Sequence, residues 1–60
     1  MVMRYKVTLN GEEVIISNSL KHAVDAYNKT IYYGKKGDMI RMYYRPNPET
    51  KWAELRKDWL

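Results

Sequence analysis

The sequence predicts an α+β fold in the order β-β-α-β-α: a three-stranded sheet packed on one helix, followed by a C-terminal amphipathic helix. Three stretches predict it. Asn10-Gly11 joins two runs of alternating apolar residues, Leu20 to Ile31 carries an apolar stripe at helical spacing, and Met39 to Arg45 alternates apolar with polar side chains.

Residues 3–17 read as a β-hairpin. Asn-Gly suits its turn because both central residues of a type I′ turn need positive φ. The register then sets Leu9 against Glu12, Val7 against Val14 and Tyr5 against Ile16 on one largely apolar face. Thr8 meets Glu13, Lys6 meets Ile15 and Arg4 meets Ser17 on the other, where Lys6 and Thr8 flank the Glu13 charge. Ser17-Asn18-Ser19 ends the strand and offers a helix N-cap. Leu20, Ala23, Val24, Tyr27 and Ile31 form the stripe of the first helix, with Lys21, His22, Asp25 and Lys29 on its outer side. Gly34 suits a C-cap. Thr30-Ile31-Tyr32-Tyr33 is β-branched and aromatic, and admits a short strand paired with 39–45 instead. Ile31 continues the stripe, which favours helix to about Tyr32.

In the third strand Ile40, Met42 and Tyr44 point to the core, while Met39, Arg41, Tyr43 and Arg45 point away from it. A helical crossover sets this strand beside the first and parallel to it, in the order 2-1-3. Pro46 and Pro48 end it, because proline lacks the ladder donor and restricts the residue before it. Asn47 as cap, Pro48 at the first helical position and Glu49 near the positive end start a second helix. Trp52, Leu55 and Trp59 recur along it at i, i+3 and i+7, with Lys51, Glu54, Lys57 and Asp58 solvated.

Sixty residues are expected to form a single domain, 1–60, which buries only about 60% of the surface of its unfolded chain. With no cysteine there is no disulfide, and with one histidine there is no zinc site of the usual nitrogen and sulfur type. No cofactor is implied. The lack of cysteine fits a reducing cytosol. Met1-Val2-Met3-Arg4-Tyr5 lacks the apolar run of a signal peptide, and no window approaches the roughly 18 apolar residues of a membrane span. A cytoplasmic protein with no membrane partner is the expectation.

Eleven Lys and Arg against seven Asp and Glu give a net charge of +4, and the excess is local. Residues 31–48 hold Lys35, Lys36, Arg41 and Arg45 against Asp38, or +3; residues 49–60 are neutral, with three of each sign. A basic balance favours a polyanion or an acidic protein surface as partner. Catalysis finds little support. His22 and Asp25 stand at i, i+3 with no nucleophile in a defined position beside them, and the adjacent Glu12 and Glu13 point to opposite faces of a strand. Gly34-Lys35-Lys36-Gly37 is too short for a phosphate-binding loop and precedes a strand, not a helix. The chain is therefore read as a non-enzymatic binding protein.

The outward face of the third strand is the candidate contact surface. Arg41, Tyr43, Arg45 and Met39 form its centre, joined by Arg4 and Lys6, with Lys35 and Lys36 at one edge. Interface centres are rich in Tyr, Trp, Arg and Met, so a larger protein with an acidic surface is the first partner class. Ile15 belongs to that surface in the expected register. Trp52 and Trp59 join it if their helix is not fully packed, and they allow a homodimer through that helix as well as a monomer. The second partner class is nucleic acid: cations neutralise phosphates and Tyr43 offers a stacking plane.

From Tyr5-Lys6-Val7-Thr8-Leu9 through Val14-Ile15-Ile16, Leu20-Lys21-His22-Ala23-Val24-Asp25-Ala26 and Met39 to Arg45, the layout resembles small phage-encoded host-takeover proteins, among them inhibitors of host RNA polymerase. The resemblance implies a viral inhibitor acting in the host cytoplasm by occupying a larger protein or a nucleic-acid-handling complex. It lies in element order and length. The stretch with Trp52 and Trp59 departs from it, and a shared shape does not carry over a target.

Overall fold

The computed structural model describes residues 3–60: β1 (Tyr5–Leu9), β2 (Glu12–Ser17), α1 (Leu20–Tyr33), β3 (Met39–Tyr44) and β4 (Ala53–Trp59). Met1 and Val2, part of the stretch read above for a targeting signal, lie outside the described residues. The strands form one antiparallel sheet in the order β2-β1-β3-β4, and α1 packs on one face of it. Val7, Ala23, Tyr27, Ile40 and Met42 make the core between helix and sheet, flanked by half-buried Tyr5, Leu9, Ile15, Val24, Ile31 and Leu60.

The Asn-Gly turn has its expected geometry, with φ of 52° at Asn10 and 87° at Gly11. Asn10 also ties the hairpin to β3. Its Oδ1 accepts from the Met39 N–H at 2.9 Å and its Nδ2 donates to Asp38 Oδ1 at 3.1 Å. The hairpin register differs from the expected one beyond the turn. Leu9 meets Glu12 and Thr8 meets Glu13, but Val7 meets Ile15 and Lys6 meets Ile16. A β-bulge leaves Val14 as the extra residue, and each later side chain of β2 changes face. Ile15 therefore turns to the helix side and leaves the expected contact surface.

Ser19 caps α1, its Oγ accepting from the His22 N–H. The helix runs through Tyr33, so Thr30 to Tyr33 form its last turn and no separate strand. Of its stripe, Ala23 and Tyr27 are buried, Val24 and Ile31 half-buried, and Leu20 exposed. A 14-residue helix is about 21 Å long. It carries the chain from the end of β2 back to the level of the Asn10-Gly11 turn, so β3 starts beside that turn and runs antiparallel to β1, not parallel as expected. The crossover joins β2 to β3 with β1 between them, as a split β-α-β unit.

The expected three-stranded sheet with a second, C-terminal helix is wrong: residues 53–59 form a fourth strand. Asn47 does act as a cap. Its Oδ1 accepts from the Glu49 N–H, the Thr50 N–H and the Thr50 hydroxyl at 3.1, 3.0 and 2.8 Å, and its carbonyl accepts from the Thr50 N–H at 3.2 Å. That ring of bonds closes a turn and goes no further, since Asn side chains support turns as readily as helix starts. Residues 53–59 favour a helix by propensity, but a lone helix shorter than about 12–15 residues is marginal in water. Pairing with β3 satisfies the backbone of both strands. The ladder continues past β4, where Leu60 N–H donates to Asp38 O and Leu60 O accepts from Gly37 N–H.

One half-buried contact fastens β4 to the core. The Tyr27 hydroxyl donates to Asp58 Oδ2 at 2.5 Å, and the Arg56 guanidinium lies over the Tyr27 ring at 4.8 Å from its centroid. Arg56 Nε donates to the same Asp58 oxygen at 3.0 Å. Asp58 and Arg56, opposite Ile40 and Met42 in the register, thus lie on the helix side of the sheet, Asp58 half-buried and Arg56 still exposed. Burial and the Asp58 carboxylate push the Tyr27 phenol above its ordinary value, so it stays a donor.

Candidate functional site

The face of the sheet opposite α1 is uncovered. Alternation and register put Lys6 and Thr8 of β1, Glu13 and Ile16 of β2, Met39, Arg41 and Tyr43 of β3, and Glu54, Lys57 and Trp59 of β4 on it. Arg4 and Arg45 continue β1 and β3 at one end, where the Arg45 N–H donates to the Arg4 carbonyl at 2.9 Å. Arg4, Lys6, Arg41, Arg45 and Lys57 against Glu13 and Glu54 give this face a net charge of +3. Most of the chain's net charge of +4 therefore lies on one side.

The side chains there are held by one another. Trp52, just before β4, meets two cations: Arg45 Cζ lies 4.1 Å from its ring centroid and Lys6 Nζ lies 4.7 Å from it. Lys6 Nζ is also 5.0 Å from the Tyr43 centroid, so its ammonium bridges two aromatic rings. Arg41 Nε lies 3.4 Å from Glu54 Oε1, a charge contact without hydrogen-bond geometry. Arg41 Nη2 reaches the Met39 sulfur at 3.4 Å, and Arg45 Nε donates to the Met3 carbonyl at 3.4 Å. Opposite Arg41, the hydroxyl of Thr8 is buried without a partner.

Six of the eight expected contact residues, Met39, Arg41, Tyr43, Arg45, Arg4 and Lys6, thus share one face. Lys35 and Lys36 do not join them. They sit in the α1–β3 loop at the far end of the sheet, where the Lys35 N–H donates to Asp38 Oδ2 at 2.9 Å and Lys35 borders a cleft on the helix side. No helix bears Trp52 and Trp59, so the expected dimer through it has no basis. The two tryptophans stand at opposite ends of the β3–β4 pair. Trp52 is half-buried among cations, and Trp59 is 67% exposed opposite Met39. His22 and Asp25 are exposed on α1, and Glu12 and Glu13 diverge across the sheet.

Sequence reasoning missed the partners supplied by β4. Trp52, Glu54, Arg56 and Asp58 act together only when this stretch is extended. One signal was available: the Asn47 to Thr50 turn is followed by a seven-residue segment, long enough to pair along the six residues of β3 as a hairpin.

Comparison with known proteins returns no match. Family models, curated proteins and solved structures were all searched, and none matches this chain. Among the described residues, no helix is long and apolar enough to cross a membrane.

Proposed function

We propose that this protein is a non-enzymatic binding module that docks its uncovered sheet face onto an acidic surface of a larger protein. In that role it modulates, and in the manner of phage host-takeover proteins inhibits, its target. Arg41 and Arg45 are the central contacts, with Tyr43, Met39 and Lys6 around them.

The observation that carries this reading is the stacking of the protein's own cations on Trp52 and Tyr43. A platform for single-stranded nucleic acid needs open ring faces on which bases stack. Here Lys6 and Arg45 already lie over those rings. The same stacking fixes long side chains in place, which lowers the ordering cost of binding. A guanidinium held beside an aromatic ring, as that of Arg45 is over Trp52, suits a carboxylate, which it meets through paired N–H donors.

The test is affinity capture from host lysate, with nuclease treatment, by the wild-type chain and by the Arg41→Glu/Arg45→Glu variant. A partner that survives nuclease and is lost by the variant supports the reading. Capture abolished by nuclease, together with a salt-sensitive mobility shift on single strands, replaces it with direct nucleic-acid binding. Equal capture by the variant removes the proposed contacts.

A further inference from the structure

A second surface lies on the helix side of the sheet, away from the arginine face. There an open cleft of about 530 Å³ separates the last turn of α1 from the β1–β2 hairpin. Leu9, Val14, Thr30 and Tyr33 form its walls, and Lys29 and Lys35 stand at its rim. The β2 bulge shapes it. As the extra residue, Val14 escapes the core and is 47% exposed against the cleft.

The cleft carries two lysines against one aspartate. Asp38 lines it too, but its carboxylate is occupied, accepting from the Lys35 N–H through Oδ2 and from Asn10 Nδ2 through Oδ1. Those bonds hold it below the usual carboxylate range. Lys29 and Lys35 form no ion pair among the described residues. An apolar floor is thus edged by two ammonium groups, neither in an ion pair, against one hydrogen-bonded carboxylate, a net charge of +1.

We propose that this cleft is a second docking site, which takes a partner's peptide segment carrying one large apolar side chain between two carboxylates. The apolar side chain enters between Val14, Leu9 and Tyr33, as an interface anchor fills a pocket. The carboxylates meet Lys29 and Lys35. A chain with docking surfaces on both sides of its sheet can join two partners. This site stands whether or not the arginine face binds a protein.

The probe is acetyl-Glu-Phe-Glu-amide, titrated into the full 15N-labelled chain and followed by amide shifts. The expected result is saturable movement of the Val14, Thr30 and Gly34 resonances below about 10 mM peptide. Acetyl-Glu-Ala-Glu-amide, which lacks the anchor, binds about tenfold more weakly. Lys29→Glu with Lys35→Glu weakens binding about fivefold or more, and these exposed residues leave the core intact. Val14→Glu, also at an exposed position, gives the same loss by a separate route. Three results overturn the proposal: shifts that never saturate, equal affinity for the alanine peptide, or shifts confined to Lys6, Arg41 and Arg45. The last leaves the arginine face in place as the acidic-partner site, so the two readings fail separately.

Discussion

Replacing Tyr27 with phenylalanine removes one oxygen atom from the middle of the molecule and keeps the ring, which is 1% exposed. The hydroxyl lies 2.5 Å from Asp58 Oδ2 and 3.3 Å from the Ile40 carbonyl oxygen. It has one proton to give, and the short contact to a charged oxygen takes it. A hydrogen bond to a charged group contributes about 1.5–3 kcal/mol. Asp58 keeps Arg56 as a partner at 3.0 Å and retains access to water, so the loss for Tyr27→Phe is about 1–2 kcal/mol. For a domain of this size that lowers the melting temperature by about 5–15 °C, read by circular dichroism or calorimetry.

The same contact fixes the pH dependence. The Tyr27 hydroxyl, helped by Arg56, holds the Asp58 carboxyl below its ordinary 3.8, against the opposing effect of desolvation. A depressed carboxyl contributes stability that is present above its unfolded value and lost as pH falls through the folded one. The gap between wild type and variant is therefore full at neutral pH and narrows below the ordinary 3.8. On the alkaline side, the raised Tyr27 phenol contributes stability that is present below its ordinary 10.0 and lost as pH rises toward the folded value. A variant as stable as wild type at neutral pH refutes the reasoning. So does a gap unchanged between neutral and strongly acidic solution.

Three further experiments probe the parts that hold the two surfaces. Asn47→Ala strips the β3–β4 turn of its three side-chain bonds and costs about 0.5–2 kcal/mol in chemical denaturation, whereas an unchanged midpoint shows that the turn closes without them. Gly34→Ala drives a methyl group against Leu60 and to 2.8 Å from the Thr30 carbonyl; the expected loss is about 1–3 kcal/mol, and a neutral or stabilising result means that Leu60 does not pack there. A double-mutant cycle on Arg45→Ala and Trp52→Ala yields a coupling of about 0.5–1 kcal/mol, and additive effects mean the stack is absent in solution.

Local signals in the sequence sufficed where one residue type has few alternatives. Asn10-Gly11 meets the positive φ of its turn, the α1 stripe faces the core through Ala23 and Tyr27, and Met39 to Tyr44 alternates as read. The bulge at Val14 carried no such mark, because a bulge of this kind needs no glycine and Val14, Ile15 and Ile16 are interchangeable by hydropathy. The direction of β3 followed from geometry overlooked in the chain: a crossover that leaves β2 returns parallel to β2, hence antiparallel to β1. Residues 53–59 were misread because Ala53, Glu54, Leu55, Arg56 and Lys57 are good helix formers. Their partners, Tyr27 and the free edge of β3, lie far away in sequence. The candidate contact residues of β3 were legible from alternation alone. That Arg41 leans on Glu54 and Arg45 on Trp52 was not, since both partners come from the misread strand.

The proposed function rests on β4 lying beside β3 and leaving the arginine face open. Nuclear Overhauser contacts of residues 53–59 test this most directly. The account predicts cross-strand contacts from Met42 to Arg56 and from Tyr44 to Ala53, with the Trp52 ring near the Arg45 side chain. A ladder of contacts between residues three apart, from Trp52 to Trp59, would instead mark a helix and contradict it.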